Sequence, residues 1–221
     1  MNLLDGLISM VAPHDCLLCG REGKLVCSWC LPDALPILPP TCYRCHALSP
    51  DNAVCDICRR SSPLKHVWVR TNYDGLAKEL IHYYKFLHAR ASADDIASLI
   101  IQDLPYLADY VLVPVPTATK RVRQRGFDHT KLLAKELSKL LNLEAHRYLI
   151  RLGQSQQVGT KRQQRIKQVA GSFRAVGSVA GRKLLLIDDV TTTGATIEEA
   201  ARVLKRAGAK QVDAIVFAQA K

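Results

Sequence analysis

All eight cysteines of the 221-residue chain lie within its first 58 positions, as four C-x-x-C pairs: Cys16/Cys19, Cys27/Cys30, Cys42/Cys45 and Cys55/Cys58. Two thiolates at this spacing can hold one tetrahedral metal from a tight turn, and two such turns complete a four-cysteine zinc site. Eight ligands make two Zn2+ sites, both closed and structural, because four sulfurs leave no open position. Disulfide bonding is the competing use. It fits poorly, since residues 1–10 have neither the basic start nor the cleavage site of an export signal. A thioredoxin-like role for one pair is disfavoured by four regular pairs outside any βαβ pattern. Gly20, directly after Cys19, lets the first knuckle turn back. That favours sequential pairing, with Cys16, Cys19, Cys27 and Cys30 at one site and Cys42, Cys45, Cys55 and Cys58 at the other, although a crossed arrangement stays open.

Between the two sites, residues 31–40 contain four prolines, which exclude a helix or an inner strand and predict an extended linker. Ser61-Ser62-Pro63 closes the module. The expected organisation is a double zinc ribbon over 1–62 and a second domain over 63–221. Hydrophobic residues at 48% and charged residues at 23% allow that domain a packed core. No apolar run approaches the roughly eighteen residues of a bilayer span, so the expectation is a soluble, cytoplasmic protein with no membrane insertion. The net charge of +11 is not spread evenly: residues 114–174 hold fourteen Lys/Arg against three Asp/Glu, which is the whole excess. Such a stretch suits a phosphate or polyanion partner, with a merely solvated basic face as the bland alternative.

The most informative segment begins with Leu184, Leu185, Leu186 and Ile187, a continuous apolar run of the kind a buried parallel strand shows. Asp188 and Asp189 follow, then Val190, Thr191, Thr192, Thr193, Gly194, Ala195 and Thr196, and a helix predicted over 195–207 with Ile197, Ala200, Ala201 and Leu204 on one face. Ligands of open α/β sheets bind at strand carboxyl ends. A loop of small hydroxyl residues opening a helix offers a phosphate N–H groups, hydroxyls and a dipole end. Helix capping alone is the bland reading of the same threonines. Neither a P-loop nor a G-x-G-x-x-G pattern occurs.

This run resembles the 5-phosphoribosyl-1-pyrophosphate (PRPP) motif of type I phosphoribosyltransferases. The resemblance implies that Asp188 and Asp189 bind the ribose diol, that Thr191, Thr192, Thr193, Gly194, Ala195 and Thr196 bind the 5-phosphate, and that Mg2+ arrives with PRPP. A second predicted strand over 110–116 leads to Lys120, Arg121, Arg123 and Arg125, read as an Arg-rich loop. Arg125 and Arg123 are the candidates to meet pyrophosphate. Phe127 then opens a helix with Leu132, Leu133, Leu137, Leu140 and Leu141. The polar stretch 154–173, with Gly159, Lys161, Arg162, Arg165, Lys167 and Gly171, suits a lid over a polyanion.

The order of four C-x-x-C pairs, Tyr73-Asp-Gly-Leu-Ala-Lys-Glu-Leu-Ile-His-Tyr-Tyr-Lys-Phe86, Val-Pro-Val-Pro, Arg-x-Arg-x-Arg-Gly-Phe127 and the PRPP motif is similar to the ComF family over essentially the whole chain. The resemblance implies an α/β, mostly parallel sheet flanked by helices, in a type I phosphoribosyltransferase fold preceded by the double ribbon. It also implies PRPP binding, a role in DNA uptake and natural transformation, contact with single-stranded DNA in the cytoplasm, and other DNA-uptake proteins as partners. Asp188, Asp189 and Arg125 would carry any catalysis. The chain departs from the family where Asp128-His129 stand in place of Asn-Gln, and at Thr160, Gln164 and Gln168. Two other uses stay open: an active phosphoribosyltransferase acting on a small nitrogenous acceptor, and a zinc-ribbon adaptor with a dead domain. Only Gln219, Ala220 and Lys221 follow the last predicted strand, over 211–218, so any base-recognising segment comes from elsewhere, 66–88 being the candidate.

Overall fold

The computed structural model describes residues 15–87, 89–153 and 169–220. After two short helices, α1 (Leu31–Ala34) and α2 (Asp56–Arg59), the chain runs β1 (Val67–Asn72), α3 (Gly75–Phe86), α4 (Ala89–Ile101), β2 (Tyr110–Pro114), α5 (Thr119–Arg125) and α6 (His129–Leu141). It continues through β3 (Leu149–Arg151), β4 (Phe173–Ala175), β5 (Lys183–Thr191), α7 (Ala195–Arg206) and β6 (Gln211–Gln219). Four strands form one sheet in the order β1-β6-β5-β2, every pair parallel, so their carboxyl ends share one edge. β3 and β4 form a separate antiparallel pair.

Apolar side chains alternate between the two faces of the central strands, as a doubly covered parallel sheet requires. Leu185 and Ile187 of β5 join Ile215 and Phe217 of β6 on one face, under α3, α4 and α6. Leu184 and Leu186 join Ala214 and Val216 on the other, under α7, Leu149 and Phe173. α4 turns Ala93, Ile96, Ala97 and Ile100 inward at helical spacing. α7 does the same with Ile197, Ala200, Ala201 and Leu204, the face expected from sequence.

The cysteine-bearing segment does not stand apart from this core. Leu25, Val26 and Leu35 pack into the α3/α4/α6 side, where the Leu25 N–H donates to Asp95 Oδ2 at 2.8 Å. Cys42, Tyr43, Val54 and Leu64 pack into the α7 side. The linker between them departs from the extended form expected of it, since residues 31–34 make one helical turn. Pro32 lies in the first turn, where its missing N–H would have had no helical partner anyway. Buried Arg70 of β1 then ties the linker to the sheet, donating to the carbonyls of Leu35 at 3.0 Å and Pro36 at 3.1 Å.

Two further expectations change. The Arg-rich segment is the helix α5, closed by Gly126 at φ 81, and not a loop. β5 extends beyond the apolar run through both aspartates to Thr191, because β6 keeps pairing with it to Gln219. Of the proposed lid, residues 154–168, with Gly159, Thr160, Lys161, Arg162, Gln164, Arg165, Lys167 and Gln168, lie outside the described residues; its last part, 169–173, is described, and the Gly171 N–H donates to Glu199 Oε1 of α7 at 2.9 Å before β4 begins at Phe173.

Candidate functional site

The two cysteine clusters group sequentially, Cys16, Cys19, Cys27 and Cys30 in one, and Cys42, Cys45, Cys55 and Cys58 in the other, with the sulfurs of each within 4.8 Å of one another. The crossed arrangement is therefore not what the fold builds. Both knuckles turn back through a left-handed residue, Gly20 (φ 70) and His46 (φ 61). Cys19 and Cys27, like Cys45 and Cys55, have sulfurs 3.6 Å apart. A tetrahedron with Zn–S bonds of ~2.3 Å has edges of ~3.8 Å, so the clusters fit zinc closely. Burial pushes the Cys16 thiol up, but backbone N–H groups of Cys27, Cys19 and Leu18 outweigh it and bring it down to about 6. The Cys42 thiol reaches about 7 by the same balance, against amides of Cys55, Arg44 and Cys45. The crowding by neighbouring sulfurs holds Cys30 up at about 12, a conflict that a divalent cation removes.

The other constellation sits at the carboxyl edge of the sheet. The carboxylates of Asp188 and Asp189 converge with the His129 imidazole, one ligand atom from each lying within 4.8 Å of the others. Lys85, at the end of α3, ion-pairs with Asp189 Oδ2, and His129 Nε2 lies 3.4 Å from Asp189 Oδ1. Arg125 Nη1 lies 3.1 Å from His129 Nδ1. A guanidinium can only donate, so Nδ1 is the acceptor and Nε2 is the ring nitrogen that faces Asp189. Tyr84 donates its hydroxyl to the His129 carbonyl, fixing the same residue from α3. The Arg125 guanidinium also lies over the Phe86 ring at 5.0 Å.

The two carboxylates end up unlike. Burial works against Asp189, but the bond from His129 and the charge of Lys85 hold it well below the usual carboxylate range. Burial, and then the charge of Asp189, push Asp188 well above that range. A metal among His129, Asp188 and Asp189 would have to displace the Lys85 ammonium and take the Nε2 lone pair while Arg125 holds the other. The arrangement therefore suits a neutral ligand's hydroxyl donors better than a bare cation.

The hydroxyl-rich loop completes the edge. Gly194, at φ 78, caps the N-terminus of α7; Thr191, Gly194 and Ala195 are buried, Thr193 and Thr196 half-buried, and Thr192 exposed. The Ala195 N–H reaches Thr193 Oγ1 at 3.4 Å. Of the residues singled out by sequence, the fold brings Asp188, Asp189 and Arg125 together and runs the 191–196 loop on from the same strand. Arg123, two residues from Arg125 on a helix, points elsewhere and is exposed. Lys85, Tyr84 and His129 complete the site from outside the motifs. Their only sequence signals are the departure at His129 and the presence of Tyr84-Lys85 inside the family-like stretch before Phe86.

Among the described residues no helix is long and apolar enough to cross a membrane. Residues 125–221 match the family model described as "Phosphoribosyl transferase domain". The chain is 29% identical to "Competence protein ComFC" of Bacillus subtilis (strain 168), over 87% of this chain and 89% of that protein. It is 29% identical to the ComFC protein of Streptococcus pneumoniae (strain ATCC BAA-255 / R6), over 89% of this chain and 96% of the other. It is 28% identical to "DNA utilization protein YhgH" of Escherichia coli (strain K12), over 89% and 86%. The ComF resemblance carried by the motifs thus holds through both parts of the molecule: paired four-cysteine clusters, then a phosphoribosyltransferase fold, in a chain similar to ComFC and YhgH over most of its length.

Proposed function

We propose that the protein binds PRPP at the carboxyl edge of its sheet and handles single-stranded DNA in the cytoplasm during DNA uptake. The observation that carries the first half is Asp189, kept ionised by Lys85 and His129 at the mouth of a hydroxyl-rich loop. Asp188 and Asp189 accept from the ribose hydroxyls. The N–H groups and hydroxyls of Thr191, Thr192, Thr193, Gly194, Ala195 and Thr196 take the 5-phosphate. Arg125 turns from His129 to the pyrophosphate, with Arg123 and Arg121 adding positive field, and Mg2+ enters with the ligand. If turnover follows, these groups position the ribose and stabilise departing pyrophosphate while a small nitrogenous acceptor attacks C1.

The second half is supported by the names of the similar proteins and by charge. Lys120, Arg121, Arg123, Lys131 and Lys135 are exposed along α5 and α6, beside the proposed pyrophosphate end. DNA and PRPP therefore share cations, and other DNA-uptake proteins are the protein partners this reading expects. The deciding experiment titrates PRPP–Mg and a fluorescent oligonucleotide into one pure sample. PRPP should bind and should release part of the DNA. Calorimetry showing equal PRPP affinity in wild type and in Asp188→Asn/Asp189→Asn would place the ribose elsewhere; loss of a charge-assisted bond is worth roughly 1.5–3 kcal/mol.

A further inference from the structure

We infer that Tyr43 is a positioning residue for the phosphate loop, and that the second four-cysteine cluster, by fixing Tyr43, sets the shape of residues 191–196. The inference rests on the reading of that loop as the 5-phosphate site. Tyr43 follows Cys42 directly and lies in the x-x of the knuckle that ends at Cys45. Its ring forms the floor under Gly194: a Cβ there would meet Tyr43 Cε2 at 2.5 Å and Cδ2 at 3.2 Å. Gly194 is thus required twice, for its left-handed backbone and for this contact.

The remaining atoms of Tyr43 are pinned as well. Its hydroxyl donates to Glu198 Oε1 at 2.7 Å, one turn into α7, and lies 3.1 Å from Ser62 Oγ. Its carbonyl accepts from Gln219 Nε2 at 2.7 Å, at the last residue of β6. Arg44, the other residue inside the knuckle, puts Nε 3.0 Å from the same Glu198 Oε1 and donates from Nη1 to the Cys58 carbonyl at 2.9 Å. Both residues between Cys42 and Cys45 therefore engage the first turn of α7, and Arg44 also bridges to the knuckle that supplies the other two sulfurs. When bound, zinc would lock these two turns together, and with them the floor under Gly194. The first cluster docks on α4 through Leu25 and Asp95, on the opposite face of the sheet. The molecule therefore carries its own control.

The test compares Cys45→Ser with Cys19→Ser, each in the full chain, and adds Tyr43→Ala and Tyr43→Phe, which leave all eight thiols in place. Zinc content, hydrogen exchange of 191–196 and PRPP–Mg affinity are measured for each. Cys45→Ser and Tyr43→Ala should speed exchange in the loop and weaken PRPP–Mg by about tenfold or more, while Cys19→Ser stays within about twofold of wild type. Tyr43→Phe, which keeps the ring and loses the bond to Glu198, should fall between. Unchanged loop exchange in Cys45→Ser and Tyr43→Ala would overturn the inference, as would an equal effect of Cys19→Ser. Wild-type protein that binds no PRPP–Mg would sink the functional reading alone, and loop exchange in the Tyr43 variants would still decide this one.

Discussion

Asp188 and Asp189 are neighbours in sequence with opposite electrostatic fates, and the difference lies in what the fold sets beside each. Both carboxyls are desolvated; Asp189 has a lysine and an imidazole N–H beside it to offset this, whereas Asp188 also faces the like charge of Asp189. A carboxyl raised in the folded state favours folding when protonated and works against it once pH rises through the raised value. Asp188→Asn, which cannot ionise, should therefore gain Tm over wild type as pH rises and Asp188 is forced to ionise, on the order of 2–4 °C for each ~1 kcal/mol recovered. That gain should shrink as pH falls and wild-type Asp188 takes up its proton, even as PRPP affinity falls; a thermal melt series across pH checks it. His129 gives a second prediction. Gln can accept from Arg125 and donate to Asp189 at once, whereas Leu can do neither. His129→Gln should keep most PRPP affinity and His129→Leu should lose about tenfold, roughly 1.4 kcal/mol. Imidazole 15N shifts should report the Nε2–H tautomer in wild type. The aspartates were legible because they belong to a dense local motif. Lys85 and His129 reach the site from other elements, marked in the chain only by a place inside the family-like stretch and by a departure from the family pattern, neither of which points to the aspartates.

β5 and α7 could be read from the chain because burial imposes a pattern: a continuous apolar strand and a helix with one apolar face. α5 could not. Its seven residues, Thr119–Arg125, hold one apolar side chain, Val122, and bury none, so they leave no periodicity to detect. The helix nevertheless decides which arginine faces the site, because residues two apart on a helix diverge. Gly126 closes it in the left-handed region with open space where a Cβ would stand. Gly126→Ala should then cost ~1 kcal/mol through backbone strain alone. Arg125, one residue before the cap, should be ordered less well, visible as a small Tm loss with a larger loss of PRPP affinity. The turn at 31–34 runs against the extended linker that its prolines predict. The expectation that four prolines exclude any helix is too strong, because a single turn tolerates a proline at its start.

Each cysteine cluster packs against a different face of the sheet, so metal and core stabilise each other. Stripping zinc should lower a single cooperative melting transition, with no separate early loss of residues 15–58, and a chelator titration followed by calorimetry checks this. The basic ridge on α5 and α6 should bind single-stranded DNA with little base preference and a log–log salt slope of about −0.7 per phosphate neutralised. Lys131→Ala with Lys135→Ala should flatten that slope without changing base preference, as measured with fluorescent oligonucleotides at several salt concentrations. None of this packing could be read from the chain, since contacts between distant segments leave no periodic trace. Tyr43 meets Glu198 across 155 residues of sequence and Gln219 across 176. A chain synthesised from its amino end therefore displays the reactive thiols long before β5, α7 and β6 exist to receive them. Contacts of such long sequence separation form slowly, and until they do, exposed thiolates are open to oxidation and wrong pairing. Zinc captured early would protect the knuckles through that interval, making metal supply at the time of synthesis, rather than afterwards, the determinant of how much native protein forms.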